Sequence, residues 1–205
     1  MALRGWAVLL MTGVLAVSAV SAQEQGGTAA SSAPGATAPL YDQDDLLFLS
    51  HMIVHHEQAL ELSALVPSRT ERDELKRFAR YIAGAQRAEI EQMKSLLQLA
   101  ADRGQELPHH HLHGDPPMAG MLSKAQMAAI AAARGPEFER LWLEGMILHH
   151  EGALDMARDQ QRHQFERGRR PYGIDVLVED ILEVQRAEIG EMRTWLDQWG
   201  LASAR

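Results

Sequence analysis

The chain has no cysteine among its 205 residues. That excludes a disulfide framework and any thiolate-held metal, so a soft-metal site here has only methionine sulfur and histidine nitrogen to draw on. Basic charge is also short. Lys and Arg number 20 against 28 Asp and Glu, and a net charge of −8 gives no electrostatic footing to a nucleic-acid partner. The period-two alternation of half-buried strands is nearly missing, while apolar residues recur at three and four, which points to an all-α fold. No glycine-rich phosphate loop, basic aromatic surface or nucleophile constellation is present, so no catalytic role is expected.

One long apolar run exists, at the start. In "MALRGWAVLLMTGVLAVSAVSAQEQ", Arg4 precedes an apolar stretch from Trp6 to Val17, and Val20-Ser21-Ala22 supplies small residues where a signal peptidase cuts. Residues 1–22 are therefore expected to be a signal peptide directing export to the periplasm or beyond. The alternative is an uncleaved anchor, against which the shortness of the run counts. Residues 23–39, rich in Gly, Ala, Ser, Thr and Pro, read as a flexible linker. No later run spans a bilayer, so the mature form is not expected in a membrane. Residues 40–200 are enough for one domain with a real core.

Four long helices are expected there. The first covers about 42–65 and stops at Pro67; the second opens on a capping box of Ser68 with Glu71 and ends at Asp102, where Arg103-Gly104 supplies the stop. A short helix follows from Ser123 to Arg134, capped by Ser123 with Gln126. The third long helix runs from Pro136 to Phe165 and the fourth from Ile174 to Trp199.

Within these helices the chain repeats itself. "MIVHHEQAL" from Met52 returns as "MILHHEGAL" from Met146, 94 positions on, and "QRAEIEQM" from Gln86 returns as "QRAEIGEM" from Gln185, 99 positions on. A longer hairpin loop in the second half is expected to account for the difference. The expected architecture is a four-helix bundle of two duplicated hairpins: repeat one 42–103, a His/Met-rich connector 104–135, and repeat two 136–200.

At about 100° per residue, Met52, His55 (near −60°) and His56 (near +40°) share one face, bordered by Phe48, Leu49, Leu60 and Leu62, while Glu57 points away. An up-down-up-down bundle sets the first and third long helices parallel on a diagonal, which would bring Met52, His55 and His56 toward Met146, His149 and His150. A lone core histidine is usually just a hydrogen-bonded packing residue. Four buried imidazoles are harder to satisfy that way, since each unpartnered polar group costs roughly 1–3 kcal/mol, and one ion could satisfy several nitrogens. Imidazole suits copper and zinc, and thioether favours Cu(I).

The second motif adds Gln86, Glu89 and Met93, and their counterparts Gln185, Glu188 and Met192, as further candidates. Counting back from Pro67 sets Gln86 near the depth of Met52 and Met93 about two turns further along. Methionine as core filler is an equal reading of Met93 and Met192. The connector "HHHLHGDPPMAGM" offers His109, His110, His111, His113, Met118 and Met121, either as a surface chelator or as a solvated link.

The paired "F(x)3M(x)2HH(x)2AL" and "Q(x)2EI(x)2M" segments, from Phe48 to Leu60 and from Gln86 to Met93 with their second copies, resemble the bacterial domain of unknown function 305 family over nearly the whole mature domain. Trp142 stands where the motif's first aromatic, Phe48, stands in the first copy. The resemblance implies a ferritin-like four-helix bundle and a periplasmic copper-binding protein, for sequestration, transport or copper resistance, with a metal-transfer partner unidentified. Zinc and iron are less favoured ions. The contrasting expectation is a di-iron oxidase or oxygen-handling enzyme, which needs Glu-x-x-His pairs on two helices. Here that spacing occurs only as Glu106 with His109, in a loop across Pro108. A helical interaction module whose histidines sense pH is the third alternative.

Overall fold

The computed structural model describes residues 39–108 and 118–201. The signal peptide, all of the linker but Pro39, and His109, His110, His111 and His113 lie outside the described residues. Among those described there are five α-helices and no strand: α1 (Gln43–Leu65), α2 (Asp73–Asp102), α3 (Lys124–Ala132), α4 (Gly135–Glu166) and α5 (Ile174–Gln198), with a 3-10 turn at Val66–Ser68. None is long and apolar enough to cross a membrane.

Local chemistry sets most boundaries where the sequence placed them. The Asp42 side chain accepts from Asp45 N–H and the Asp45 side chain accepts from Asp42 N–H, a reciprocal cap that starts α1. Ser123 and Gln126 cap α3 in the same way. Gly104, at φ 76°, ends α2, and Gln105 N–H closes on the Ala100 carbonyl.

The longer loop expected in the second hairpin does not appear: residues 66–72 and 167–173 join the two pairs of long helices with equal length, and the extra residues of the second copy lengthen α4 itself. One boundary also differs. The expected capping box of Ser68 with Glu71 does not form: Ser68 closes the 3-10 turn, and α2 begins only at Asp73, with no side-chain cap. Thr70 and Arg72 turn instead to the Glu139 carboxyl of α4, the latter at 2.6 Å. Ser68 Oγ turns back to the Leu65 carbonyl and Glu71 faces Lys76, so neither caps α2, and the hairpin loop is longer accordingly.

The helix order is also not up-down-up-down. Along α1 and α4, Asp45 meets Gln160, the His55 carbonyl meets His149, and the Leu62 carbonyl accepts from the Trp142 indole at 2.9 Å, so these helices are antiparallel neighbours rather than a parallel diagonal. On the opposite side Phe78 packs edge-on against Trp195, 5.0 Å between centroids, and Arg72 stacks on Trp199, so α2 and α5 are antiparallel too. The parallel diagonals are α1 with α5 and α2 with α4. Between the hairpins the chain crosses the length of the bundle: Gln105 binds the Tyr41 backbone at one end, and Gly135 N–H binds the Arg69 carbonyl at the other. A single long crossover of this kind is the ferritin-like connection.

Candidate metal centre

His55, His56, His149 and His150 are all fully buried, as are Met52, Met93, Met146 and Met192. The antiparallel packing decides which of them meet. His55 and His149 face each other where α1 crosses α4, their ring centroids 3.9 Å apart. Met52 and Met146 do not meet there; each lies three residues before its histidine, so with helices running in opposite senses they are offset by about 9 Å along the axis.

Each hairpin then builds its own cluster. His56 Nε2 lies 2.6 Å from Glu89 Oε2, and His150 Nε2 lies 2.8 Å from Glu188 Oε2. Met52 is one turn before His56 and Met93 one turn after Glu89, so in antiparallel partners the two sulfurs share a level; Met146 and Met192 do the same. This reverses the expected depths. Met93, not Gln86, stands level with Met52, because the longer turn before Asp73 shifts α2 along α1. Gln86 and Gln185 sit nearer the hairpin turns, both buried, and each has a side-chain oxygen without a partner among the described residues. Met118 and Met121 are half-buried at the connector's described end.

The hydrogen bonds fix how each ring presents itself. His55 Nε2 is 3.0 Å from the Ala119 carbonyl, and His149 Nε2 is 2.9 Å from the His55 carbonyl. A carbonyl only accepts, so Nε2 carries the proton in both rings. Burial pushes the His55 imidazole down to about 3, with the nearby His56 charge adding to it. Burial holds His149 well below the usual histidine range as well, reinforced by His55. Both rings are therefore neutral near pH 7, and their Nδ1 atoms are bare lone pairs.

Among the described residues, no hydrogen-bond partner reaches Nδ1 in any of the four rings. At roughly 1–3 kcal/mol each, four such atoms cost about 4–12 kcal/mol, comparable with the whole stability of a domain, about 5–15 kcal/mol. A metal ion is one agent that offsets such a cost. An imidazole anchored through one nitrogen on a carboxylate or carbonyl, with the other nitrogen open, is also how metal-ligating histidines are held. The donor set of neutral imidazole, thioether and carboxyl fits a soft or borderline ion. It is not a single preformed four-imidazole cage: among the described residues, no three His or carboxyl donor atoms from this core lie within 4.8 Å of one another.

The sequence did not disclose how the crossover seals this core. Ala119 supplies the acceptor for His55, and the Gln58 side chain holds both the Leu122 N–H and its carbonyl. Gly152 stands in α4 where Gln58 stands in α1, and a Cβ there would lie 2.1 Å from the Ala119 oxygen. Gly152→Ala is thus expected to cost about 3 kcal/mol, at the upper end for overpacking against backbone. Thermal unfolding is the check, and an unchanged melting temperature would show that the crossover simply yields.

Fold and site together define an all-helical bundle with a cysteine-free interior of histidine and methionine. The chain belongs to the DUF305 family, domain of unknown function 305, whose family model matches residues 45–196. It is similar to a DUF305 protein from Streptomyces coelicolor described as secreted, with 32% identity and a TM-score of 0.65 over 77% of this chain and 93% of that one. A DUF305 fragment from Deinococcus radiodurans gives 29% identity and 0.65 over 77% and 97%. CopM in its Cu(I)-bound form gives 28% identity and 0.59 over 76% and 96%, and CopM has also been solved with Cu(II) and with silver. Metal binding thus occurs within this structural group. No curated protein matches the chain.

Proposed function

We propose that this protein is exported and binds copper in the bundle interior, for sequestration, transport or resistance, without turnover. The observation that carries the reading is the set of four buried imidazoles whose Nε2 atoms are tied to oxygen while their Nδ1 atoms have no partner among the described residues. The copper- and silver-bound forms of CopM support the choice of ion. In this reading each repeated hairpin offers one thioether pair and one carboxyl-anchored imidazole: Met52, Met93 and His56, then Met146, Met192 and His150. His55 and His149 stand between them. The glutamates orient the rings and the crossover excludes water, so a bound Cu(I) would meet soft donors in a dry setting.

The test begins with metal content after growth in balanced copper, zinc and iron, where copper is expected to dominate. Leucine at all four histidines, together with leucine at Glu89 and Glu188 so that no carboxyl is buried alone, is expected to abolish copper binding while helical circular dichroism persists. Full copper stoichiometry in that variant would overturn an interior site. If that stoichiometry then vanished on replacing His109, His110, His111 and His113, the connector would be the binding element.

A further inference from the structure

About 20 Å along α1 from His55, at thirteen residues and 1.5 Å rise each, the α1–α4 interface ends in a second group of metal-ligating side chains. Asp42, Asp44 and His163 bring one donor atom each within 4.8 Å of one another. Beside them a groove of about 290 Å³ is lined by Asp44, His51, Met156, Asp159 and His163, among others. We propose that this groove binds a borderline divalent ion, Cu(II) or Zn(II), through His163 Nδ1 and Asp44, with Asp42 holding the imidazole and with His51 and Asp159 lining the groove beside it.

The two sides of the His163 ring differ in a telling way. Nε2 lies 2.9 Å from Asp42 Oδ2, a good hydrogen bond, whereas Nδ1 lies 3.5 Å from Asp44 Oδ2, too far for one. Asp42 is the hydrogen-bond partner of Nε2, which leaves Nδ1 as the nitrogen facing Asp44 without a good hydrogen bond. A divalent ion would displace any proton on Nδ1 and sit between that nitrogen and the Asp44 carboxylate. Two ligands about 2.1 Å from one tetrahedral ion are about 3.4 Å apart, close to the separation seen. Asp42 is meanwhile fixed from behind, since its other oxygen caps α1 through Asp45 N–H. The carboxylate, imidazole and open nitrogen reproduce the way proteins orient a metal-binding histidine.

The rest of the groove supplies donors from both helices. His51 lies two turns after Asp44 on the same face of α1, and Asp159 one turn before His163 on α4, where Arg162 pairs with it. These are nitrogen and oxygen donors at a half-exposed position, with Met156 at the margin. They suit Cu(II) or Zn(II), whereas the buried thioether pairs suit Cu(I). The surface groove and the interior are therefore sites of different hardness on one helix pair.

The experiment uses untagged full-length protein stripped with chelator, with His109, His110, His111 and His113 replaced by serine so that the connector gives no signal. Calorimetric titration with Zn(II), and Cu(II) titration followed by electron paramagnetic resonance, count the ions bound. Asp44→Asn, which leaves the α1 cap and the His163–Asp42 bond in place, is expected to remove one equivalent of either ion while the Cu(I) stoichiometry stays at the parent value. Asp42→Asn still caps the helix and is expected to weaken that equivalent about 10- to 100-fold, as loss of a ligand's hydrogen-bond partner does. Unchanged stoichiometry and affinity in both variants would overturn the proposal and leave the three residues as a helix cap with an ion pair. Loss of Cu(I) binding along with Zn(II) would overturn the independence of the two sites, and failure of the interior variants would leave this test unaffected.

Discussion

Leucine at Met52, Met93, Met146 and Met192 together is expected to abolish tight Cu(I) binding, a larger loss than the about 10–100-fold that follows removal of a ligand's hydrogen-bond partner. Cu(II) binding is expected to persist. The distinction follows from softness: without cysteine, the thioethers are the donors that favour Cu(I), while imidazoles take Cu(II) as readily. The swap nearly conserves volume at fully buried positions and should cost less than about 1.5 kcal/mol per site. The level pairing of the sulfurs sharpens the expectation. Met52→Leu with Met93→Leu should remove the site of one hairpin and leave the other, and Met146→Leu with Met192→Leu should do the converse. Competition against a Cu(I) chelator under reducing conditions, beside Cu(II) titration in air, reads both. Parent affinity for Cu(I) in the fourfold variant would reduce these residues to core filler.

Acid is expected to destabilise the metal-free protein before its carboxylates titrate. His55 and His149 are neutral in the fold, with burial as the main cause, but take up protons near pH 6.5 once unfolded. Below that pH the unfolded chain binds more protons, so stability falls with pH, and for His55 it goes on falling toward about 3. Each group contributes a slope approaching 1.4 kcal/mol per pH unit, about 3 kcal/mol for the two together between roughly pH 6.5 and 5. Urea denaturation of the apo protein at those two values measures it, with leucine at both positions as the control that should flatten the slope. Equal stability at the two pH values would mean that water or a counter-charge reaches the rings.

Much of this molecule is local and therefore legible in one dimension. The capping box at Ser123, the stop at Gly104 and the burial face of Met52, His55 and His56 depend on neighbours within a turn or two, and each stands where spacing placed it. Glu89 and Glu188 were legible too, as the carboxylates kept in both copies of "QRAEI", but nothing in the spacing said that they would grip His56 and His150. The pairing of Asp42 and Asp44 with His163 had no signal at all, because the partners are separated by more than a hundred residues.

By itself the sequence determined the helices, the apolar faces on which the histidines lie, the absence of thiolate and the family. These follow from periodicity and composition, which need no knowledge of how helices dock. Only the tertiary structure decided that α1 and α4 run antiparallel, so that His55 meets His149 while Met52 parts from Met146 and finds the level of Met93. The physical reason is that helix order and register are settled by distant contacts. Glu139 of α4 holds the turn before α2 through Thr70 and Arg72, and Gly152 admits the crossover that carries the chain back along the bundle.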